Sequence, residues 1–319
     1  MWPAVTTIDW LLDSDPAIRW QVMRDLVGLP ESEWGPERAR VETEGWGARL
    51  LAFEDEEGLW AGGACFPADY VWGGDEPGQP WTATMHTLQT LQILGLPANS
   101  ASAQRAVSLV AKNGRWEHEG QRYFEGEVEP CINGRTIETG VYLGADVKGI
   151  VTRILGEGLD DGGWNCEAER GSVRSSFDTT INVLDGLLEL ETANQGNDAV
   201  RHARRTGEEY LLERKLFRRK STGEVVDPGY LDFAFPYYWH YDLLRALDYF
   251  RRAQADRDPR MVEAIEVLRS KQQPDGRWLL DRIHPGRVHF DIETPVGSPS
   301  KWNTLRALRV LKWWDEGAG

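Results

Sequence analysis

The chain has 319 residues, of which 41% are hydrophobic and 27% charged, as in an ordinary globular protein with an ample core. Its formal net charge of −15 repels phosphate backbones and anionic membrane surfaces, so nucleic acid and such membranes are excluded as expected partners. The sequence contains no run of about 18 apolar residues, so no transmembrane segment is expected.

The predicted elements are almost all helices, because apolar residues recur at helical spacing. The first helix begins at Asp15, which is placed to cap it ahead of Pro16, and ends at Gly28. Five further apolar helices are predicted over 81–97, 136–144, 177–190, 239–250 and 302–314. More polar helices alternate with them over 35–53, 101–112, 146–155, 197–214 and 258–271.

Most of the polar helices are followed by a turn that ends in tryptophan. These turns read EGLW (57–60), NGRW (113–116), DDGGW (160–164) and PDGRW (274–278). The unit of polar helix, Gly-Trp turn and apolar helix repeats about every 40–65 residues, which is typical of an array or a closed toroid of helical hairpins. Six apolar members predict an all-α, single-domain (α/α)6 barrel over residues 1–319, with the apolar helices as its inner ring.

Three segments between the helices, 61–80, 215–237 and 279–300, are predicted to be long loops, and such loops are often functional. The three cysteines are too few and odd in number for a disulfide framework. The amino-terminal stretch lacks the basic and apolar regions of a signal peptide, so a reducing cytoplasm is the expected compartment.

The Gly-Trp turns resemble the Q-W repeats of squalene–hopene cyclases and the related repeats of protein prenyltransferase β subunits. The likeness is clearest in QQPDGRW (272–278) and DDGGW (160–164), and by repeat architecture it extends over nearly the whole chain. Triterpene cyclases are about twice this length and have a second helical domain. The resemblance implies the toroid fold, and it implies an activity less directly because one fold hosts many functions.

One implied activity is carbocation chemistry started by an acid. Class II terpenoid cyclases use a DxDD motif whose middle aspartate protonates the substrate, and alignment on SSFDTTINVLDGL places Asp178 on that residue. Ser176 and Thr179 replace the flanking acids. Asp178 is therefore either a proton donor or only the cap of its helix.

A second implied activity depends on zinc. Prenyltransferase β subunits bind zinc through an Asp, a Cys and a His at the starts of inner helices, and YYWHYDLLRALDYF resembles their His-bearing helix, which indicates His240. The family's Asp-x-Cys pair is absent from 173–178. The alternative ligands for a catalytic zinc with an open position are Cys131, Cys166 and His240, joined by His86 or Asp178. Each of these cysteines is otherwise a small buried side chain.

The position of Cys166 within its turn is unusual. It lies two residues beyond the repeat tryptophan, where the other turns have Gly62, His118 and Leu280. Asp160 and Asp161, in the same turn, are expected to accept hydrogen bonds from nearby backbone amides.

An acidic loop precedes the last apolar helix. HPGRVHFDIETPVGSPSKWN (284–303) contains Asp291 and Glu293, which a lid could carry into the cavity. The alternative is a solvated loop whose acids pair with Arg282 and Arg287.

Aromatic side chains are predicted at the same mouth of the barrel and are candidate substrate-binding residues. They are Trp81, Phe177, Tyr237, Tyr238, Trp239, Tyr241 and Trp302. They would surround a polyene in a cyclase, stack on sugar rings in a carbohydrate enzyme, or simply close the core. The repeat tryptophans are expected to be structural.

Three hypotheses therefore remain. The first is a terpenoid-cyclase-like enzyme that acts on a hydrophobic, isoprenoid small molecule, with Asp178 as the acid. The second is a zinc-dependent transferase or hydrolase on the same toroid, and the third is a non-catalytic binding or scaffold module. The sequence does not define the substrate or the oligomeric state.

Overall fold

The computed structural model describes residues 6–316, and most of this range is helical, so the all-α fold class is confirmed. Residues 1–5 and 317–319 lie outside the described range. The first of these segments begins both the predicted domain and the stretch that lacks the features of a signal peptide. The helices are α1 (Thr7–Leu12), α2 (Pro16–Val22), α3 (Glu31–Ala39), α4 (Gly45–Leu51), α5 (Thr84–Leu94), α6 (Ala101–Asn113), α7 (Pro130–Leu143), α8 (Lys148–Gly156), α9 (Phe177–Thr192), α10 (Asp198–Leu212), α11 (Leu243–Arg252), α12 (Val262–Ser270) and α13 (Lys301–Glu316). Two short strands, β1 (Trp278–Leu279) and β2 (Pro299–Ser300), pair antiparallel.

The ends of α2 follow the prediction from sequence. The Asp15 carboxylate accepts a hydrogen bond from the Ala17 amide at 2.9 Å, and Pro16 occupies the first helical position. The helix continues as one π-turn over 23–27 and ends at Gly28, whose φ of 78° is in the left-handed region that glycine tolerates.

Burial supports the predicted alternation of apolar and polar helices from α5 onward, whereas the polar helix predicted over 35–53 is divided into α3 and α4 by a 3-10 turn over 40–42. Helices α5, α7, α9 and α13 are buried on nearly every side, whereas α6, α8, α10 and α12 each bury a single face. The apolar core lies between the two sets in two clusters, to both of which α9 and α13 contribute. The apolar helix predicted over 136–144 begins earlier in the structure, at Pro130. The prediction began too late because Asn133 and Gly134 are both weak helix formers.

The Gly-Trp turns tie each polar helix to the following apolar helix. In three turns the indole N–H donates to a backbone carbonyl ten residues earlier, at Leu50, Ile154 and Leu268. In the same turns the tryptophan amide donates to a threonine hydroxyl at the start of the next apolar helix. The pairs are Trp60–Thr84, Trp164–Thr180 and Trp278–Thr304. These contacts bear out the structural role predicted for the three tryptophans, whereas Trp116 donates to Tyr123.

Two contacts between apolar helices organise the fold. Helix α13 packs against α2, so the last described helix contacts one near the amino terminus. Helices α7 and α9 approach closely at Gly134 and Gly186, where a Cβ atom would lie within 2.5 Å of backbone oxygen on the facing helix. No helix in the range 6–316 is both long and apolar enough to cross a membrane.

Candidate functional site

Two of the predicted cysteines lie side by side. The Sγ atoms of Cys131 and Cys166 are 2.9 Å apart, although the residues are 35 positions apart in the chain. The Glu129 carboxylate lies 3.5 Å from Cys131 Sγ. One ligand atom from each of these three residues lies within 4.8 Å of the other two, which is close enough to hold one metal ion.

The close packing of α7 on α9 positions this group. Pro130 starts α7, so Cys131 lies in the first turn, and Glu129 is the residue just before the helix. Cys166 begins a short 3-10 turn ahead of α9, and its amide donates to the Thr179 hydroxyl at 3.3 Å. The same hydroxyl lies 3.4 Å from Cys166 Sγ, which fixes the thiol against the start of α9.

Two of the three ligand residues, Glu129 and Cys166, line a cavity of about 580 Å³ with a strongly acidic wall. Cys166, Glu129 and His118 line it together with Glu117, Glu127, Glu167 and Glu169. The contact with Cys166, burial and the Glu129 charge raise the pKa of the Cys131 thiol well above its usual value. A cation at this site would be attracted by the carboxylates and would favour the thiolate forms of both cysteines.

His240 is not part of this group, so the predicted Cys131–Cys166–His240 ligand set is corrected. Its ring stacks on His284 with centroids 3.6 Å apart and an interplanar angle of 7°, and Trp239 stacks on it as well. Burial, followed by the charges of His284 and Arg282, lowers the pKa of His240 to about 2, so the ring is neutral. The loop before α11 holds His240 in this aromatic stack.

His86, the other histidine considered as a ligand, lies inside α5 near the third cysteine. Its Nε2 atom is 4.0 Å from Cys65 Sγ and 3.1 Å from the Gln79 amide nitrogen. Burial lowers the pKa of His86 well below its usual value. His86 and Cys65 therefore form a neutral buried contact outside the Glu129–Cys131–Cys166 group.

Asp178 does not cap its helix, so that alternative is wrong. The helix cap is Ser176, whose hydroxyl accepts from the Thr179 amide at 3.0 Å. The Asp178 carboxylate instead accepts from the Tyr241 amide at 2.7 Å and from the Tyr230 hydroxyl at 3.1 Å. Asp178 thus links α9 to the long segment before α11, with a pKa that burial raises.

The acidic loop covers a separate cavity of about 370 Å³, and Asp291 and Glu293 both line it. Glu293 accepts hydrogen bonds from the Ser300 hydroxyl and the Thr294 amide. Arg287 pairs with Asp69 and Glu76, so the alternative in which it pairs with the loop acids is wrong. Arg282 likewise donates to Gly229 and contacts His284.

The predicted substrate-binding aromatics pack mainly against one another. Trp81 stacks on Tyr238 at 4.0 Å, and Trp302 stacks on Phe235 at 4.4 Å. Phe177 meets the edge of Tyr241 at 5.1 Å, and the Trp239 indole donates to Gln79. Most of these rings are buried, as expected for side chains that close the core. Tyr237 lies between two arginines, Arg245 and Arg306, at centroid distances of 4.5 and 4.9 Å.

Glu129 is the candidate metal ligand that the sequence argument missed. The residues Glu129-Pro130-Cys131 have the acid-x-Cys spacing that was sought over 173–178, at the start of the preceding apolar helix. His118 was noted only as the counterpart of Cys166 in its own turn, and both line the same cavity. The spacing of Glu129 and Cys131 was the signal that would have identified the site.

The interpretation of this site rests on its geometry. A comparison of the chain with protein-family models and with curated protein sequences found no match.

Proposed function

We propose that the protein is a zinc-dependent enzyme whose metal is held by Glu129, Cys131 and Cys166. The observation that carries the proposal is the convergence of these three side chains, two of which, Glu129 and Cys166, line a cavity. Two thiolates and a carboxylate are ligands that zinc accepts, and three protein ligands leave a fourth position for water or substrate. A zinc ion held by these three residues would supply the activation of a water or thiol nucleophile that hydrolysis or group transfer needs.

The ligand spacing fits zinc after a small adjustment. In a tetrahedral site with Zn–S bonds of about 2.3 Å the sulfurs lie about 3.8 Å apart, against the 2.9 Å between Cys131 and Cys166. Both side chains are only half-buried, so small side-chain rotations can supply the difference. The acidic lining of the cavity favours a neutral or cationic substrate over a nucleic acid.

The finer fold prediction, a closed ring of six apolar helices, forms part of the proposal. The contact of α13 with α2 supports closure of the ring. A further cavity is lined by residues of α5, α7, α9, α11 and α13 and by the segment of α2 and its π-turn, which supports a common axis for these helices.

The carbocation hypothesis has less support from the geometry. The carboxylate of Asp178 is engaged by Tyr241 and Tyr230, and the aromatic side chains contact one another. The cavity shared by the apolar helices is lined by arginines and carboxylates rather than by a continuous apolar surface. An isoprenoid chain would gain little from burial there.

The metal content of purified protein and of single variants tests the proposal. We expect about one zinc per chain, lost in Cys131→Ser and Cys166→Ser and weakened in Glu129→Gln. Cys65→Ala is the matched thiol control and should keep the zinc, because Cys65 lies outside the ligand group. Wild-type protein without zinc after preparation in zinc-supplemented, reducing medium, or equal zinc in all four variants, would contradict the proposal.

A further inference from the structure

The cavity shared by the apolar helices is separate from the thiol site. Its volume is about 540 Å³, within the range of small-molecule sites. Thr192 and Gln254, which are exposed, and Gln92, which is half-buried, lie on its wall near the carboxyl ends of α9, α11 and α5. The cavity therefore opens at the end of the helices opposite to the start of α7, where Cys131 lies.

The wall of this cavity is rich in arginine although the protein as a whole is strongly acidic. Six arginines line it: Arg24, Arg38, Arg251, Arg252, Arg306 and Arg309. Three carboxylates line it with them: Glu138, Glu189 and Asp248. Three carboxylates that are not on the wall form ion pairs with wall arginines: Asp25, Asp185 and Asp242. The same buried network contains two more arginines, Arg135 and Arg245. Eight arginines thus face six carboxylates, which leaves excess positive charge at the cavity.

Four of these eight arginines have a side-chain donor without a hydrogen-bond partner in the described chain, and two of the four, Arg306 and Arg309, lie on the cavity wall. Arg306 and Arg309 are 3% and 7% exposed. The Nε atoms of both have no hydrogen-bond partner, and one terminal nitrogen of Arg306 has none either, its nearest carboxylate being Asp242 at an ion-pair distance of 3.7 Å. Buried arginine donors without acceptors are costly, because the desolvated charge is then incompletely compensated.

The requirements of helix ends do not account for this pair. Arginines in the last turn of a helix stabilise its free carbonyls, and Arg251 and Arg252 are placed to do so in α11. Arg306 and Arg309 lie in the middle of α13, three residues apart and on the same face. Their free donors therefore point to a ligand.

We propose that this cavity binds a small anion that bears carboxylate or phosphate groups. The planar guanidinium fork matches both groups. The unpartnered donors of Arg306 and Arg309 would hold the anion from α13. The arginines of α11 and of the segment that follows α2 supply the surrounding positive potential. The proposal does not depend on the zinc site.

Isothermal titration of the full chain with inorganic phosphate and, separately, with citrate tests this proposal against sodium chloride of equal ionic strength. We expect one anion per chain, with phosphate binding alone indicating a phosphate ligand and citrate binding alone a carboxylate ligand. Gln92→Glu places a negative charge on the cavity wall without a change of shape and should weaken binding about tenfold or more. Gln272→Glu, the same change in an exposed turn, should leave binding unchanged.

Two further variants keep the test decisive. Cys166→Ser should bind the anion as wild type does, which separates this cavity from the zinc site. Arg306→Gln should abolish binding, and its circular dichroism spectrum reports whether it folds. The proposal is overturned if neither anion binds more tightly than chloride, or if Gln92→Glu binds as tightly as Gln272→Glu.

Discussion

Substitution of Gly134 by alanine tests the close helix contact that builds the thiol site. A Cβ atom at this position would lie 2.5 Å from the carbonyl oxygen of Asn182 and 2.7 Å from the Cα of Val183. Both atoms belong to the backbone of α9, so no side chain can move aside, and α7 and α9 must separate. Overpacking of this kind costs about 3 kcal/mol, and alanine recovers about 1 kcal/mol of helix propensity. We expect a net loss of about 2 kcal/mol in the free energy of unfolding.

Gly149→Ala is the matched control, because Gly149 lies in α8 and a Cβ atom added there would have no atom within 4 Å. Relief of backbone entropy should stabilise this variant by up to about 1 kcal/mol. Urea unfolding followed by circular dichroism measures both changes. If Gly134→Ala is as stable as Gly149→Ala, then α7 and α9 are not in close contact and the account of how Cys131 meets Cys166 fails.

Three further substitutions have expected outcomes in the same unfolding assay. Asp178→Ala should lower stability by about 1–3 kcal/mol, because it leaves the Tyr241 amide and the Tyr230 hydroxyl without their acceptor; unchanged stability with lost turnover would instead support a proton donor. Trp164→Phe removes a 2.9 Å hydrogen bond to Ile154 and should also cost about 1–3 kcal/mol, whereas a neutral effect would refute the structural role of the turn. Burial and neighbouring carboxylates raise the pKa of Glu189 to about 7. The folded protein therefore binds a proton at Glu189 more tightly than the unfolded chain does, and its stability falls as the pH rises from about 5 to 8. Glu189→Gln should therefore match wild type near pH 5 and exceed it by about 1–2 kcal/mol at pH 8, allowing for screening; an equal difference at both pH values would contradict this.

The sequence predicted the parts of the fold that depend on local pattern. The Asp15 cap, the end at Gly28 of the π-turn that continues α2, and the Gly-Trp turns are set by neighbouring residues, and the structure has them as expected. Alternation of buried and half-buried helices follows equally from apolar spacing. These features need no knowledge of which helices meet.

Only part of the thiol site was predicted, because its two cysteines are far apart in the chain and no local pattern joins them. Cys131 and Cys166 were grouped correctly, but His240 was added from the resemblance of its helix to a zinc-binding one. The aromatic stack with His284, which removes His240 from the site, depends on a loop conformation that no local pattern encodes. Glu129 escapes prediction because the resemblance implies the Asp-x-Cys pair near 173–178, one repeat further along the chain than Glu129 and Cys131.

The charged lining of the shared cavity was the feature least accessible to sequence reasoning. Arg306 and Arg309 lie in a helix that was assigned to the inner ring for its apolar residues. The sequence alone does not distinguish an arginine that faces solvent from one on the same helix that faces a buried cavity. Only the packing of α13 among the other helices shows that both side chains are buried.

Zinc K-edge X-ray absorption of the purified, reduced protein tests the central claim most directly, because it reports which atoms surround the metal. The account predicts two sulfur ligands at about 2.3 Å with lighter ligands at about 2.0–2.2 Å, and the loss of one sulfur or of the metal in Cys166→Ser. A zinc surrounded only by nitrogen and oxygen, or a spectrum unchanged in Cys166→Ser, would contradict it.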